Sequence, residues 1–226
     1  MMQQLLLDIT PESAQTLARF VNTDNREAYQ AVCALAAGRF AEPLIYLWGP
    51  PGSGKSHLLN AAVAHARAAG HLADVIHANC PEAPASGLLA IDDVDRLDDD
   101  GQRKLFSLIN AAREGHGHLL VAGREPPARL ALRDDVTSRL GWHLVFQLHG
   151  LSDEAKQSAL QARAEQLGFR LEAPIIDYLM THWRRDLPSL IWLLEQLDRH
   201  SLVRQRPITL PLLREVLQIH QSVING

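Results

Sequence analysis

Cysteine is nearly missing from this chain: there are two, Cys33 and Cys80, in 226 residues. Two thiols cannot build the disulfide framework of a small secreted scaffold, and a reducing cytoplasm is the expected compartment. Aromatic residues are scarce as well, at 5%. Leu, Ala, Val and Ile must therefore fill the core, a composition that favours helices over an all-β design. No run approaches the roughly 18 apolar residues of a membrane span. The opening stretch, Met1-Met2-Gln3-Gln4-Leu5-Leu6-Leu7-Asp8, lacks the basic start and long apolar run of a signal peptide. Positive charge is not in excess either. The net charge is −4, with 13 basic and 17 acidic residues in 1–150 and nine of each afterwards. Neither part has the basic surplus of an autonomous duplex-DNA binder.

The rest of the composition is that of an ordinary globular protein, 46% hydrophobic and 21% charged, which excludes disorder as the main organisation. At roughly 150 residues per domain, the length suits one large domain with an appendage or two modest ones. Short apolar runs predict buried strands at 44–48, 75–78, 88–91, 118–122 and 143–148. Helical patterns lie between most of them. One covers 26–37, with Asp24 or Asn25 as N-cap and Gly38 past its end; others cover 55–69, stopped by Gly70, and 102–113. Strands alternating with helices make this part α/β, a parallel sheet covered by helices. After Gly150 the pattern becomes helical throughout, at 152–167, 174–183, 187–200 and 210–220, which predicts a small all-α unit. Asp186 and Thr209 are its expected caps, with Pro188 and Pro211 in the first turns. Trp183 and Trp192 read as core of that unit, and His116 and His118 as flanks of a turn before a strand.

Two motifs carry chemistry. Gly49-Pro50-Pro51-Gly52-Ser53-Gly54-Lys55-Ser56 fits G-x-x-x-x-G-K-[ST] in full, after an apolar strand and at the start of a helix. Glycines let backbone N–H groups turn onto phosphate oxygens, and the helix N-terminus adds partial positive charge. In such a loop Lys55 reaches the β- and γ-phosphates and the Ser56 hydroxyl ligates Mg²⁺, so ATP or ADP with Mg is the expected cofactor. Leu88-Leu89-Ala90-Ile91-Asp92-Asp93 is an apolar strand ending in two carboxylates. Asp92 suits holding Mg²⁺ through water and Asp93 orienting or deprotonating an attacking water. Six of the nine residues 92–100 are Asp; Asp98, Asp99 and Asp100 are expected in a solvated acidic loop. The eleven histidines form no HExxH or similar ligand set, so no structural metal is expected.

With His57-Leu58-Leu59 directly after the phosphate loop, Ile91-Asp92-Asp93, and Ser138-Arg139-Leu140-Gly141-Trp142, the chain resembles the AAA+ modules of bacterial replication initiators of the DnaA type. Within that family it is most similar to the short DnaA homologues that inactivate the initiator, and the likeness runs on through Arg185-Asp186-Leu187-Pro188-Ser189-Leu190. The resemblance implies a P-loop AAA+ module: a clamp-binding peptide in 1–10, an α/β nucleotide-binding subdomain in 11–150 and a helical lid in 151–226. It places Arg139 at the arginine finger; the plainer alternative is a surface or ion-paired residue near Asp134 and Asp135. Gln4, Leu5 and Leu7 resemble the family's peptide for the DNA polymerase sliding clamp, with Asp8-Ile9 replacing its usual apolar or aromatic ending. Phe20, Val21 and Asn25 resemble the box that flanks the adenine, although Phe20 could equally pack the first helix. His57 joins the loop residues as a nucleotide contact.

Two departures bear on hydrolysis. Arg124 and Glu125 stand where sensor 1 has small polar groups, and Pro188 stands about where sensor 2 has an arginine, with Arg184 or Arg185 nearby. Weak or no ATPase of its own is the expectation. With the chain ending at Gly226, no helix-turn-helix domain for duplex DNA is expected. The resemblance implies a negative regulator that, with the DNA-loaded clamp, stimulates ATP hydrolysis by a DnaA-type initiator. The alternative is a self-oligomerising AAA+ ATPase that loads a helicase or remodels nucleic acid. Homo-oligomers fit either role; a membrane fits neither.

Overall fold

The computed structural model describes residues 16–20, 24–39, 42–77, 87–184 and 186–224. The chain divides into two units, residues 1–150 and 151–226. In the first, β1 (Leu44–Trp48), β2 (Ala73–His77), β3 (Leu88–Asp92), β4 (His118–Gly123) and β5 (Leu144–Gln147) form one sheet in the order β2-β3-β4-β1-β5. Every neighbouring pair is parallel. Parallel neighbours need long crossovers, and helices supply those after β1, β3 and β4. α1 (Arg26–Ala36) precedes β1, and α2 (Lys55–Ala68), α3 (Asp99–Arg113) and α4 (Asp134–Gly141) fall between later strands.

Because side chains alternate along a strand, each buried strand feeds two cores. Ile45, Leu47, Ala90, Leu120 and Ala122 pack with Val32 of α1 and Leu58, Leu59 and Ala62 of α2. Leu44, Tyr46, Leu89, Ile91, Leu119 and Val121 pack on the other face with Leu105 and Ile109 of α3 and Val136 and Leu140 of α4. The sheet is thus covered on both sides, which is why its strands read as unbroken apolar runs.

Three local features differ from the sequence reading. Asp98, Asp99 and Asp100 are not a solvated loop. Asp98 is the N-cap of α3, its carboxylate accepting from Gly101 N–H at 2.8 Å, and Asp99 and Asp100 form the first turn. Carboxylates at that end satisfy free N–H groups and oppose the helix dipole, so the acidic run starts the helix. Asn25 occupies the N-cap position of α1, but its side chain makes no cap there. Its amide donates to His149 C=O at 3.0 Å and accepts from His149 N–H at 2.8 Å, a buried two-bond clasp to the residue just past β5. Finally, α4 has no counterpart in the predicted helices. Only Val136 and Leu140, one turn apart, are buried in it, too few for a helical period to show.

The second unit comprises α5 (Asp153–Gln166), α6 (Ala173–His182), α7 (Leu187–Arg204) and α8 (Leu210–Ile224), the last two each about a turn longer than expected. Ser152 and Asp186 cap α5 and α7 by accepting from Ala155 and Ser189 N–H. Leu160, Ile176, Leu179, Leu193, Leu197 and Leu213 lie in the core. Trp183 and Trp192 stack nearly parallel at 6.3 Å, and the Trp183 indole donates to Ser189 C=O at 3.2 Å. Among the described residues, no helix is long and apolar enough to cross a membrane.

His220 of α8 meets the edge of Trp192 at 4.8 Å and His200 of α7 at 6.3 Å, and its Nε2 is buried without a hydrogen-bond partner. Burial, helped by His200, holds its pKa below the usual histidine value. The neutral ring therefore suits the fold, and its contribution to stability is complete above the unfolded value of about 6.5 and is lost as pH falls below it. The neighbouring charges Arg204 and Glu215 pair with each other across α7 and α8, so they do not neutralise an imidazolium. Thermal unfolding followed from about pH 7.5 to about pH 5.5 should show a falling midpoint. His220→Phe should flatten that fall, whereas His116→Phe, on an exposed turn of the other unit, should not.

Candidate functional site

The parallel sheet sends β1, β3 and β4 out at one edge, so the segments after Trp48, Asp92 and Gly123 come together there. Such carboxyl-end crevices are where open α/β sheets bind ligands. The segment after β1 is the loop Gly49–Gly54, which enters α2 at Lys55. Gly52 and Gly54 hold φ of 79° and 94°, a left-handed backbone that any side chain would strain. No side chain caps α2, so its first-turn N–H groups have no partner within the helix. This cradle suits phosphate: backbone donors, a helix N-terminus and a lysine.

Lys55 is 8% exposed. Its ammonium donates to the carbonyls of Gly49 at 2.8 Å and Pro50 at 3.0 Å. Burial draws its pKa below the ordinary lysine value, against the pull of Asp92, Asp93 and Asp95. Phosphate loop and carboxylate strand, 37 positions apart from Lys55 to Asp92, therefore share one electrostatic neighbourhood. Asp92 is 4% exposed and accepts the N–H of Asp93 at 2.9 Å. Asp93 is half-buried, sits in left-handed backbone (φ 52°, ψ 44°), and lies 3.7 Å from Arg96. Ser56 and Asp92 present hard oxygens, the donor chemistry that Mg²⁺ prefers.

The sensor 1 region is occupied differently from the sequence pattern of a small polar group. Arg124 is tied to Asp95, through its backbone N–H at 3.2 Å and its guanidinium at 3.3 Å. Glu125 contributes its carbonyl, which accepts from the buried Tyr46 hydroxyl at 2.7 Å. A Cβ on Gly123 would stand 2.3 Å from that hydroxyl; glycine there lets Tyr46 reach past β4. Phe20 stacks parallel on Tyr29 of α1 at 5.8 Å, lies 5.9 Å from the ring of His57, and would meet a Cβ on Gly54 at 2.8 Å. It therefore both packs the first helix and covers the start of α2. His57 Nε2 lies 3.2 Å from Thr16 C=O. Gln4, Leu5, Leu7, Val21 and Arg185 fall outside the described residues. Pro188 occupies the first turn of α7, where it cannot offer a charge.

Arg139, on α4, is half-buried. Its Nε donates to Asn110 Oδ1 at 3.1 Å and its Nη1 to Asp135 C=O at 3.2 Å, and its guanidinium lies 4.0 Å from the centre of the Phe106 ring. The Asp135 carboxylate pairs with Arg133 instead, at 3.0 Å, so the expected alternative of an Arg139 ion pair with Asp134 or Asp135 is not what the structure has. Phe106 and Asn110 are one turn apart on α3 and were invisible as site residues in the sequence. The available signal is their i, i+4 spacing on a stripe next to the apolar stripe Leu105–Ile109–Ala112.

Residues 153–217 match the family described as "Hda, lid domain". Among solved structures, the chain is similar to domain III of the replication initiation protein DnaA from Thermotoga maritima, with a TM-score of 0.72 at 18% identity over 91% of this chain and 96% of that one. AMPPCP-bound DnaA from Aquifex aeolicus gives 0.66 at 20% identity over 82% of this chain and 65% of that one, so the chain spans under two thirds of that relative. The RuvB Holliday junction branch migration motor of Thermotoga maritima gives 0.66 at 16% identity over 91% and 72%. These likenesses establish the AAA+ fold: a five-stranded parallel sheet with helices, followed by a helical lid.

The left-handed backbone at Asp93 is strained for any residue but glycine, by about 1 kcal/mol. Removing the carboxylate in two ways separates strain from charge. By chemical denaturation, Asp93→Gly should be more stable than Asp93→Ala by about 1 kcal/mol. Equal midpoints would show that the turn relaxes around alanine.

Proposed function

For this chain, an AAA+ protein related to Hda and DnaA, we propose a regulatory role: a nucleotide-holding module that, together with the DNA-loaded sliding clamp, stimulates ATP hydrolysis by a DnaA-type initiator and so restrains initiation of chromosome replication. The observation that carries this reading is the setting of Arg139. Among the described residues no carboxylate pairs with it, yet an amide, a carbonyl and an aromatic face hold its guanidinium in place. A fixed guanidinium with uncompensated charge can be offered to the γ-phosphate of a neighbouring chain, where it neutralises charge developing in the transition state. In GTPase systems such an arginine is worth about 10³–10⁵ in rate.

The chain's own nucleotide, ADP or ATP, would be held by Gly49–Ser56, with Lys55 on the phosphates, Ser56 and Asp92 toward Mg²⁺, and Phe20, Val21, Asn25 and His57 toward the base side. Bound there, it supplies a fixed anionic group rather than a reaction. Lys55 would exchange its bonds to the Gly49 and Pro50 carbonyls for phosphate oxygens, whose negative charge would offset its desolvation. Arg124, engaged with Asp95, and Pro188 leave two of the usual hydrolysis aids unfilled, in keeping with weak turnover by this chain alone. Gln4, Leu5 and Leu7 would tether it to the clamp by an extended peptide laid in an apolar groove.

A second reading rests on Asp92 and Asp93 beside Lys55, the acidic pair a working ATPase needs: a self-assembling ATPase that remodels nucleic-acid complexes. One set of assays separates the two. With ATP-bound initiator and clamp loaded on DNA, the wild-type chain should accelerate initiator hydrolysis. Arg139→Ala should lose that acceleration by about 10³-fold or to background while still retaining nucleotide on a filter, and Gln4→Ala should lose it only where the clamp is required. Acceleration unchanged by Arg139→Ala would remove the regulatory reading. Vigorous clamp-independent hydrolysis by the chain alone, abolished by Lys55→Ala, would establish the second.

A further inference from the structure

Beside Arg139 lies a feature that its role as a finger does not use. Trp142, which ends α4, is 59% exposed, though large apolar side chains elsewhere in this sheet unit are mostly buried. Its ring carries two guanidiniums, Arg113 at 5.3 Å and Arg139 at 5.5 Å from its centre. Arg113 continues the α3 stripe Phe106–Asn110–Arg113, so one helix face supports both the finger and the indole. Among the described residues neither arginine has a carboxylate partner, whereas Arg103, Lys104 and Arg133 around them do. Glu42 lies 3.9 Å from His143. A groove of about 440 Å³ opens next to Trp142, walled by the apolar Pro126, Pro127, Ala128 and Val145 and by Thr137 and Ser138 of α4.

An exposed indole, two uncompensated arginines and an apolar slot combine the residue types that dominate protein–protein binding energy. We propose that Trp142 and this groove form the docking anchor for the ATP-loaded initiator, taking an apolar side chain bordered by carboxylates and thereby setting affinity, while Arg139 acts on the chemistry. This rests on the regulatory reading above. Single-stranded nucleic acid could stack on an indole between arginines, but the groove wall is mainly apolar, the Thr137 hydroxyl in it already donates to Asp134 C=O, and the chain as a whole is acidic. Charge and shape both favour an acidic-rimmed apolar protein segment. The surface is continuous with the proposed finger, because Arg139 touches the same ring.

The test is a titration of the chain against a fixed amount of ATP-bound initiator and DNA-loaded clamp, reading initiator hydrolysis. Trp142→Ala should raise the concentration for half-maximal stimulation by about tenfold or more and leave the plateau where wild type has it. Arg139→Ala lowers the plateau. Ala128, exposed on the groove wall, tests the charge of the occupant: Ala128→Glu should shift the titration to higher concentration by clearly more than Ala128→Lys does. If wild type stimulates but Trp142→Ala superimposes on it, or lowers the plateau at an unchanged midpoint, the docking role is wrong. Equal shifts for Ala128→Glu and Ala128→Lys would refute the acidic rim. Quenching of indole fluorescence by oligothymidylate that disappears in Trp142→Ala would give the surface to nucleic acid instead. A wild-type chain that fails to stimulate overturns the regulatory reading itself, and the docking proposal with it.

Discussion

Five parallel strands with both faces covered are the constraint from which the rest follows. Parallel pairing leaves no room for hairpins, so crossovers, helical after β1, β3 and β4, return the chain and every strand runs out at the same edge. With β1 placed between β4 and β5, and β3 beyond β4, the loops after β1, β3 and β4 meet there. Lys55, Asp92–Asp93 and Arg124 come from positions up to 69 residues apart, as the numbering of Lys55 and Arg124 shows. No contact between those side chains is needed to bring them near one another, since the backbone ladder does it. The same alternation that buries Tyr46 on the α3 face points its hydroxyl at the Glu125 carbonyl, so the core reaches into the edge and steadies the sensor loop.

The two cations of the candidate site and the proposed finger, Lys55 and Arg139, illustrate opposite uses of the protein interior. Lys55 is buried, and burial alone would favour its neutral form; loop carbonyls and the three nearby aspartates keep the ammonium in place. Arg139 is held at the surface by neutral partners. A guanidinium cannot be discharged, and Asn110, the Asp135 carbonyl and the Phe106 face fix its direction without cancelling its charge. A carboxylate partner would have held it as firmly but lowered the field it could present to a phosphate. Choosing neutral partners keeps that field available.

Legibility in the sequence followed the strength of the local signal. The strand 44–48 and the loop 49–56 could be read because three constraints coincide on adjacent residues: an apolar run, glycines at positive φ and a helix start. The buried strands were legible to within a residue or two for the same reason, their apolar runs being unbroken. The start of α3 was misread because Asp98–Asp100 look the same as a loop or as a cap and first turn; only the N–H groups that follow decide. Asn25 could be picked as important, but its partner is 124 residues away, and no local pattern contains that distance. The helix α4 is too short for periodicity, so the support of Arg139 by Phe106 and Asn110 could emerge only once α3 and α4 lay side by side.

That support also suits the role proposed for Arg139, an arginine offered to another molecule from so short a helix. A free arginine side chain carries about 2 kcal/mol of rotamer entropy, and ordering it at the moment of contact would subtract directly from whatever it stabilises. Anchored on α3, that cost is met during folding. The same logic applies to Trp142, an aromatic with few rotatable bonds, held at the end of α4 with its ring lying against two guanidiniums. A rigid face of this kind gains specificity from the direction of its groups rather than from their number. An acidic, apolar partner of the kind proposed would find the charge, the slot and the indole already arranged.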